Sequence, residues 1–280
     1  MVQRIGKFDG KKYILERFDS IDEFIKTIEE RPISPQYSRD STAKSVRSDH
    51  INDPRWSGAE SYDEAKTAFV NGTKAKTEMS KAFCSDVDPH QRETHNAPCG
   101  CAPIVAHALM GVPDAMIDIR RKRIPKATRV IVNMSISCGT NAREITEAGK
   151  KIIAAIGKLE SQGISTEIMC TADKEVEGVY SSCSIAIKNA GQAFNAARVS
   201  FSMSSPAFLR VFQFAHLSSQ PDSPYSHGYG RAISYRLSGQ ALRDYYRAMY
   251  GNGIYISLAE VDRQGQYAID QAIEAWRKGK

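Results

Sequence analysis

The chain contains no apolar run approaching the roughly 20 residues that a membrane-spanning helix needs. Its first residues, Met1-Val-Gln-Arg-Ile-Gly-Lys7, lack the apolar core of a secretory signal. Both absences lead us to expect a cytoplasmic protein that meets no membrane. Charge of one sign is also scarce. The net charge of +6 divides evenly, with 22 basic and 19 acidic groups in residues 1–129 and 16 and 13 in the remainder. An excess so evenly spread says little beyond solubility. Cysteine is present at six positions but never in the Cys-x2-4-Cys spacing of a structural zinc knuckle, the only close pair being Cys99-Gly-Cys101. With no secretory signal, reduced thiols are the expectation. No Ser or Cys is spaced from a His and an acid so as to define a catalytic set.

What the chain does have is a βαβ unit between Arg129 and Cys170. Val130, Ile131 and Val132 are consecutive β-branched residues, as in a strand buried on both faces of a helix-covered parallel sheet. Thr140 is a candidate N-cap. After it Ile145, Ala148, Ile152, Ile153, Ile156 and Leu159 recur at spacings of three and four, which predicts a helix with one apolar face, closed by Gly163. A second strand follows. In open α/β sheets ligands sit beyond the carboxyl ends of the strands, and the loop from Asn133 to Thr140 lies there. Strands are expected at about 130–136, 164–170, 184–187, 199–203 and 254–258, with helices on both faces, and a polar turn at 173–178.

Asn133-Met-Ser135-Ile-Ser137 leaves a buried strand and precedes a long helix and a strand of the form Gly-Ile-x-x-Glu-Ile. In this it resembles the von Willebrand factor A fold. Families with that fold carry Asp-x-Ser-x-Ser at the loop, where a carboxylate and two hydroxyls help hold a divalent metal. The resemblance implies an α/β domain over 129–280, a three-layer von Willebrand A-like or Rossmann-like sheet flanked by helices. It implies a binding site at Asn133, Ser135, Ser137 and Thr140. Asn133 replaces the aspartate, so the loop has lost the charge that a hard cation such as magnesium prefers, and no cofactor is expected, with magnesium here or zinc elsewhere in the chain as the alternatives. The layout is also similar to that of uncharacterised bacteriophage proteins, which implies a phage setting, with the protein in the host-cell cytoplasm or the virion, and no activity.

Residues 1–128 read as an irregular α+β region. Asp9-Gly10 is placed to turn a hairpin. Ser20-Ile-Asp-Glu23 and Ser61-Tyr-Asp-Glu64 are capping boxes, each opening a helix. Residues 34–55, rich in Ser, Arg, Asp and Pro with few aliphatics, read as a polar linker. Cys84, His90, His95, Cys99 and Cys101, with His107 beyond, form the densest set of zinc-type ligands, against a bland reading as a loop with incidental His and Cys. Arg120, Arg121, Lys122, Arg123, Lys126 and Arg129 make the one basic cluster. It reads either as a phosphate contact or as charged gatekeepers on an edge strand; no aromatic residues interleave to stack bases.

Three function classes compete. The first is a non-catalytic interaction protein on a von Willebrand A-like scaffold, part of a protein assembly or a homo-oligomer, with Trp56 and Trp276 as interface anchors. The second is a nucleic-acid-binding protein using the 120–129 cluster. The third is a zinc-dependent enzyme built on residues 84–107.

Overall fold

The computed structural model describes residues 1–71, 92–121, 127–192, 194, 196–221, 224–225 and 231–279; for 92–94, 119–121 and 196–198 it describes the backbone alone. A seven-stranded mixed sheet runs through the chain. Strands β1 (Val2–Phe8) and β2 (Lys11–Phe18) form the N-terminal hairpin, turned by Asp9 and Gly10, both at positive φ. The sheet continues with β6 (Thr128–Asn133), β7 (Thr166–Val176), β8 (Val179–Lys188), the two-residue β9 (Arg231–Ala232) and β10 (Ile254–Ser257). Its order is β1-β2-β8-β7-β6-β10, with β9 against the far end of β7. The pairs β10–β6, β6–β7 and β2–β8 are parallel, while β1–β2, β7–β8 and β7–β9 are antiparallel.

The expected β-branched strand is therefore interior. Alternate residues of β6 face opposite ways, Val130 and Val132 into one core and Ile131 into another, and all three are buried. The first core is covered by most of the helices. They are α1 (Ile21–Glu30), α4 (Tyr62–Asn71), α6 (Ala142–Ser161), α7 (Ala196–Ser204), a π-helix at Phe208–Gln213, α8 (Phe214–Ser219), α10 (Leu258–Gln264) and α11 (Gln266–Arg277). The second is covered by α9 (Gly239–Tyr250), whose Leu242, Tyr245, Tyr246 and Met249 all point inward. The helices needed on both faces are present. The chain passes from β6 to β7 over one face and arrives at β10 over the other, so the sheet reverses at β6.

Several expectations are corrected. Residues 199–203 are not a strand but lie within α7, buried throughout. The alternation there is one of size and not of exposure, for Ser200, Ser202 and Ser204 are as buried as Val199, Phe201 and Met203. The small serines serve close packing, and Ser204 Oγ donates to the Ser200 carbonyl at 2.7 Å, four residues back in the same helix. Residues 173–178 are not a turn. β7 continues to Val176 and the reversal is confined to Glu177 and Gly178, both at positive φ, because the charged residues that suggested a loop have partners inside the protein.

The segment 34–55 is not a linker either. It folds as a 3₁₀ turn at Pro35–Tyr37 and helices α2 (Ser41–Ser45) and α3 (Pro54–Ser57). Tyr37, Ala43, Val46 and Ile51 are buried from it, and Arg47 donates to the carbonyls of Arg31 and Ala215, each at 2.7 Å. A few well-placed apolar groups and one guanidinium suffice to fix a polar segment. Since β2 lies in the same sheet as β6–β8, the division expected at 128/129 runs through one sheet. A second sheet, β3 (Arg92–Ala97), β5 (Met116–Arg121) and β4 (Ala102–Pro103), carries the short helix α5 (Val105–Leu109).

Both predicted capping boxes form at their first hydrogen bond, Glu23 N–H to Ser20 Oγ and Glu64 N–H to Ser61 Oγ, each at 3.1 Å. For α6 the cap is Asn141 and not Thr140: Asn141 and Glu144 exchange side-chain and backbone bonds at 2.9 Å both ways. Midway along α6, Gly149 lets α7 approach so closely that a Cβ there would lie 2.1 Å from the Met203 carbonyl oxygen. We expect Gly149→Ala to destabilise the fold by about 1–3 kcal/mol through overpacking. A urea midpoint equal to that of the unmodified protein would show that α6 and α7 do not meet there.

Candidate functional site

The carboxyl ends of β6 and β7, the reversal point of the sheet, open into a crevice of about 420 Å³. Its lining includes Ser135, Ser137 and Cys138 from the β6–α6 loop and Asp173 and Lys174 from β7, with Arg231 and Tyr235 across from them. Leu209, Phe214 and Leu217 form an apolar wall. Crevices of this size and mixed lining are where small ligands or side chains of partners bind.

The loop is held from beneath by one carboxylate. Asp173 is fully buried and accepts from Asn133 Nδ2 at 2.5 Å, from Tyr250 Oη at 2.9 Å and from Ser182 Oγ. Its own N–H donates to Ser135 Oγ at 2.7 Å, while Ser135 N–H donates to Asn133 Oδ1 at 2.7 Å. Burial pushes the Asp173 carboxyl up to about 6, and the bonds from Ser182, Tyr250 and Asn133 work against that rise. Asn133, Ser135 and Ser137 of the four expected binding residues are thus all engaged in structural hydrogen bonds. Asn133 uses both ends of its amide on Asp173 and Ser135. Ser137 receives Gly139 N–H on its hydroxyl at 3.3 Å and donates its own N–H to Tyr235 Oη at 3.3 Å.

Thr140 lies on the other side of the loop, where its carbonyl accepts from Arg210. Arg210 stands on the π-helix, is 1% exposed, and also donates to the Trp56 carbonyl at 2.6 Å with its guanidinium 4.4 Å over the Trp56 ring. Trp56 Nε1 in turn donates to the Cys138 carbonyl at 3.0 Å. Trp56, expected as an interface anchor, is thus engaged inside the chain. π-bulges recur at functional sites, and here the bulge aims a guanidinium at the loop's backbone.

Asp173 and Lys174 were missed at the sequence level because three charged residues in a row, Asp173-Lys-Glu175, read as a solvated turn. The overlooked signal is the apolar strand Ile168–Ala172 running straight into them. Lys174 is 3% exposed, its Nζ is 3.2 Å from Tyr37 Oη, and burial pushes the amine down to about 7. Away from the crevice, a second buried cluster joins β2, α1 and α8. Burial alone would raise Glu16, but His216 at 2.6 Å and Arg31 at 2.9 Å overcome it and hold the carboxyl at about 2. This cluster pins secondary structure together.

The other candidate residues are placed elsewhere. Arg129 donates to Glu167 at 3.1 Å and to the Tyr250 carbonyl at 2.6 Å, so its guanidinium closes the sheet's amino end instead of facing out. Arg120 and Arg121 stand on β5 opposite Glu93 and Arg92. Lys122, Arg123 and Lys126 lie outside the described residues. So do Cys84 and His90 of the zinc set. His95, Cys99 and Cys101 are exposed on the small sheet, and among the described residues no three His, Cys, Asp or Glu groups come close enough to hold a metal ion. Among the same residues no helix is long and apolar enough to cross a membrane.

Fold and crevice together define an α/β protein with a helix-flanked mixed sheet and a polar cleft at the sheet's reversal point. The chain belongs to the family described as a domain of unknown function, DUF7192, whose family model matches residues 4–275. No curated protein and no solved structure matches the chain.

Two outcomes test this geometry. Asn133→Asp sets a second carboxyl beside Asp173, and the two cannot both ionise at that distance. The folded variant then keeps a proton that the unfolded chain releases near pH 4, so its stability is intact in acid and falls as pH rises. We expect a deficit on the order of 3 kcal/mol at neutral pH that shrinks toward pH 5, read from urea titrations in EDTA. A deficit independent of pH would break the pairing. For Lys174 the sign is opposite. Because the amine is depressed to about 7 in the fold, the wild type gains stability as pH rises from 7 towards the unfolded lysine's 10.5. Lys174→Met removes the penalty, so it should be more stable than wild type by on the order of 3 kcal/mol at pH 7 and lose that advantage by pH 10. A variant less stable than wild type at pH 7 contradicts this.

Proposed function

We propose that the protein is a non-catalytic recognition component of a protein assembly, built on a von Willebrand A-like scaffold, with the crevice above β6 and β7 as its point of contact. The observation that carries this reading is the state of the polar groups around the crevice. Nucleophilic catalysis needs a hydroxyl or thiol within about 2.6–3.2 Å of a base. Here the hydroxyls that line the crevice, Ser135 and Ser137, accept from the backbone N–H groups of Asp173 and Gly139 and meet no base, while the hydroxyls that do meet one, Ser182 and Tyr250 at Asp173 and Tyr37 at Lys174, are buried. A solvent-open cleft so arranged suits binding.

The scaffold reading is supported by the β6–loop–α6–β7 unit with its hydroxyl-bearing loop at the carboxyl ends of parallel strands. Membership of an assembly is supported by α5, from which Val105, Leu109 and Met110 stand largely exposed, Leu109 by 83%. Isolated apolar surface of this kind suits burial against another protein.

Cys138 gives the test, since its thiol is exposed on the crevice lining. In a Cys84→Ser, Cys99→Ser, Cys101→Ser background, tagged protein is recovered from its own cells after labelling Cys138 with a bulky maleimide. We expect the proteins that accompany the unlabelled form, further copies of the chain included, to be lost on labelling and retained when the label sits instead at Gln266→Cys on the far helix. Retention with the crevice blocked, or recovery of the unlabelled chain alone, overturns the reading.

A further inference from the structure

Lys174 fixes the chemistry of what the crevice accepts, an inference that rests on the recognition reading above. Successive residues of a strand project to opposite faces. The carboxylate next to Lys174 in sequence, Asp173, is therefore turned beneath α9 to Ser182 and Tyr250, and the amine lies on the other side of the sheet against Tyr37. Tyr37 offers a hydroxyl at 3.2 Å and a ring centroid at 5.5 Å. These temper an ammonium without neutralising it. Among the described residues no carboxylate pairs with Lys174, and none pairs with Arg231, which lines the same crevice from β9. Beside these two cations stands the apolar wall of Ile136, Leu209, Phe214 and Leu217.

We propose that the crevice binds an organic carboxylate bearing an apolar group, with Lys174 as its counter-ion and Arg231 at the rim. A carboxylate supplies the charge that the buried amine lacks, and the adjoining wall takes an aliphatic or aromatic side chain. The C-terminal residue of a partner protein has this chemistry, and so has a small free acid. Binding also draws a proton onto Lys174, because the amine, poised near neutrality by burial, becomes fully charged beside an anion. The other charged groups around Lys174 are accounted for. His216 on α8 is held down by burial and bound to Glu16; Glu175 is paired with Lys11 and Arg236; Asp173 titrates near 6 on the opposite face; Arg231 lines the rim.

The test is calorimetry on the full chain just above neutral pH, in phosphate and in Tris, whose ionisation heats differ. Three probes are compared: acetyl-Gly-Gly-Leu with a free C-terminus, the same peptide amidated, and hexanoate. The free peptide is expected to bind, the amide not, and the heats in the two buffers to differ in the sense of proton uptake. Lys174→Met should weaken binding at least about tenfold, and Arg231→Ala several-fold, with far-ultraviolet circular dichroism unchanged. Should the Lys174 variant fail to fold, the amide comparison and Arg231→Ala still decide. Equal binding of the amidated peptide, absence of any carboxylate binding, or undiminished affinity in folded Lys174→Met overturns the proposal. Hexanoate binding without peptide binding upholds the carboxylate site and speaks against a protein partner. A partner displaced by the Cys138 label from a protein that binds no carboxylate leaves the recognition reading standing and removes this one.

Discussion

The buried carboxylate of Asp173 is the constraint on which the upper half of the molecule depends. A full charge enclosed by sheet and helix is tolerable only if several donors surround it, and those donors come from different parts of the chain. Asn133 belongs to the end of β6, Ser182 to β8 and Tyr250 to the last turn of α9. One group thereby sets the exit of the central strand, the height of its hairpin neighbour and the seat of the helix on the thinly covered face. The loop above inherits its shape from this. Ser135 is fixed by the Asp173 N–H, and the stretch beyond it is fixed by Tyr235 from one side and by Trp56 and Arg210 from the other.

The two faces of the sheet are stabilised differently. On the face with many helices the packing is aliphatic and phenylalanine-rich, with Phe69 stacked on Phe201 at 4.9 Å and close helix approach at Gly149. The face under α9 is tyrosine-rich, and Tyr246 stacks on Tyr255 at 5.5 Å. Tyrosines there bring rings to fill the layer and hydroxyls to meet buried polar atoms, as Tyr250 does for Asp173.

Much of the fold is legible in the sequence wherever burial follows residue type. The βαβ unit, the N-terminal hairpin, the two boxed helices and the final strand all show regular apolar spacing, and all stand within a few residues of where that spacing puts them, except that the unit's second strand runs on to Val176. The failures share a cause. Ser200, Ser202 and Ser204, Asp173-Lys-Glu175, and the Ser- and Arg-rich segment 34–55 are polar residues that are buried or tied down, and spacing rules treat polarity as exposure. The site was half legible for the same reason. Its loop could be read from position and hydroxyl content, whereas the carboxylate beneath it and the amine beside it come from a neighbouring strand, where pairing and not local pattern decides what meets. The substitution of Asn133 for aspartate is visible in sequence; that its amide would be turned onto a carboxylate 40 residues away is not.

The parallel pairing of β2 with β8 has a consequence for how the chain is made. Roughly 160 residues separate these strands, and at ribosomal speeds that is a delay of about 10–30 s between the emergence of one and of the other. Throughout that interval the first hairpin has no neighbour for β2, and Ile14, Leu15 and Phe18, all buried at the end, have nothing to cover them except α1. Arg4 and Lys7 on β1 and Lys11, Lys12 and Arg17 on β2 leave this waiting edge strongly cationic. Like charge on an open strand edge repels other copies emerging from nearby ribosomes, so these basic residues guard the nascent protein as well as solubilise the finished one.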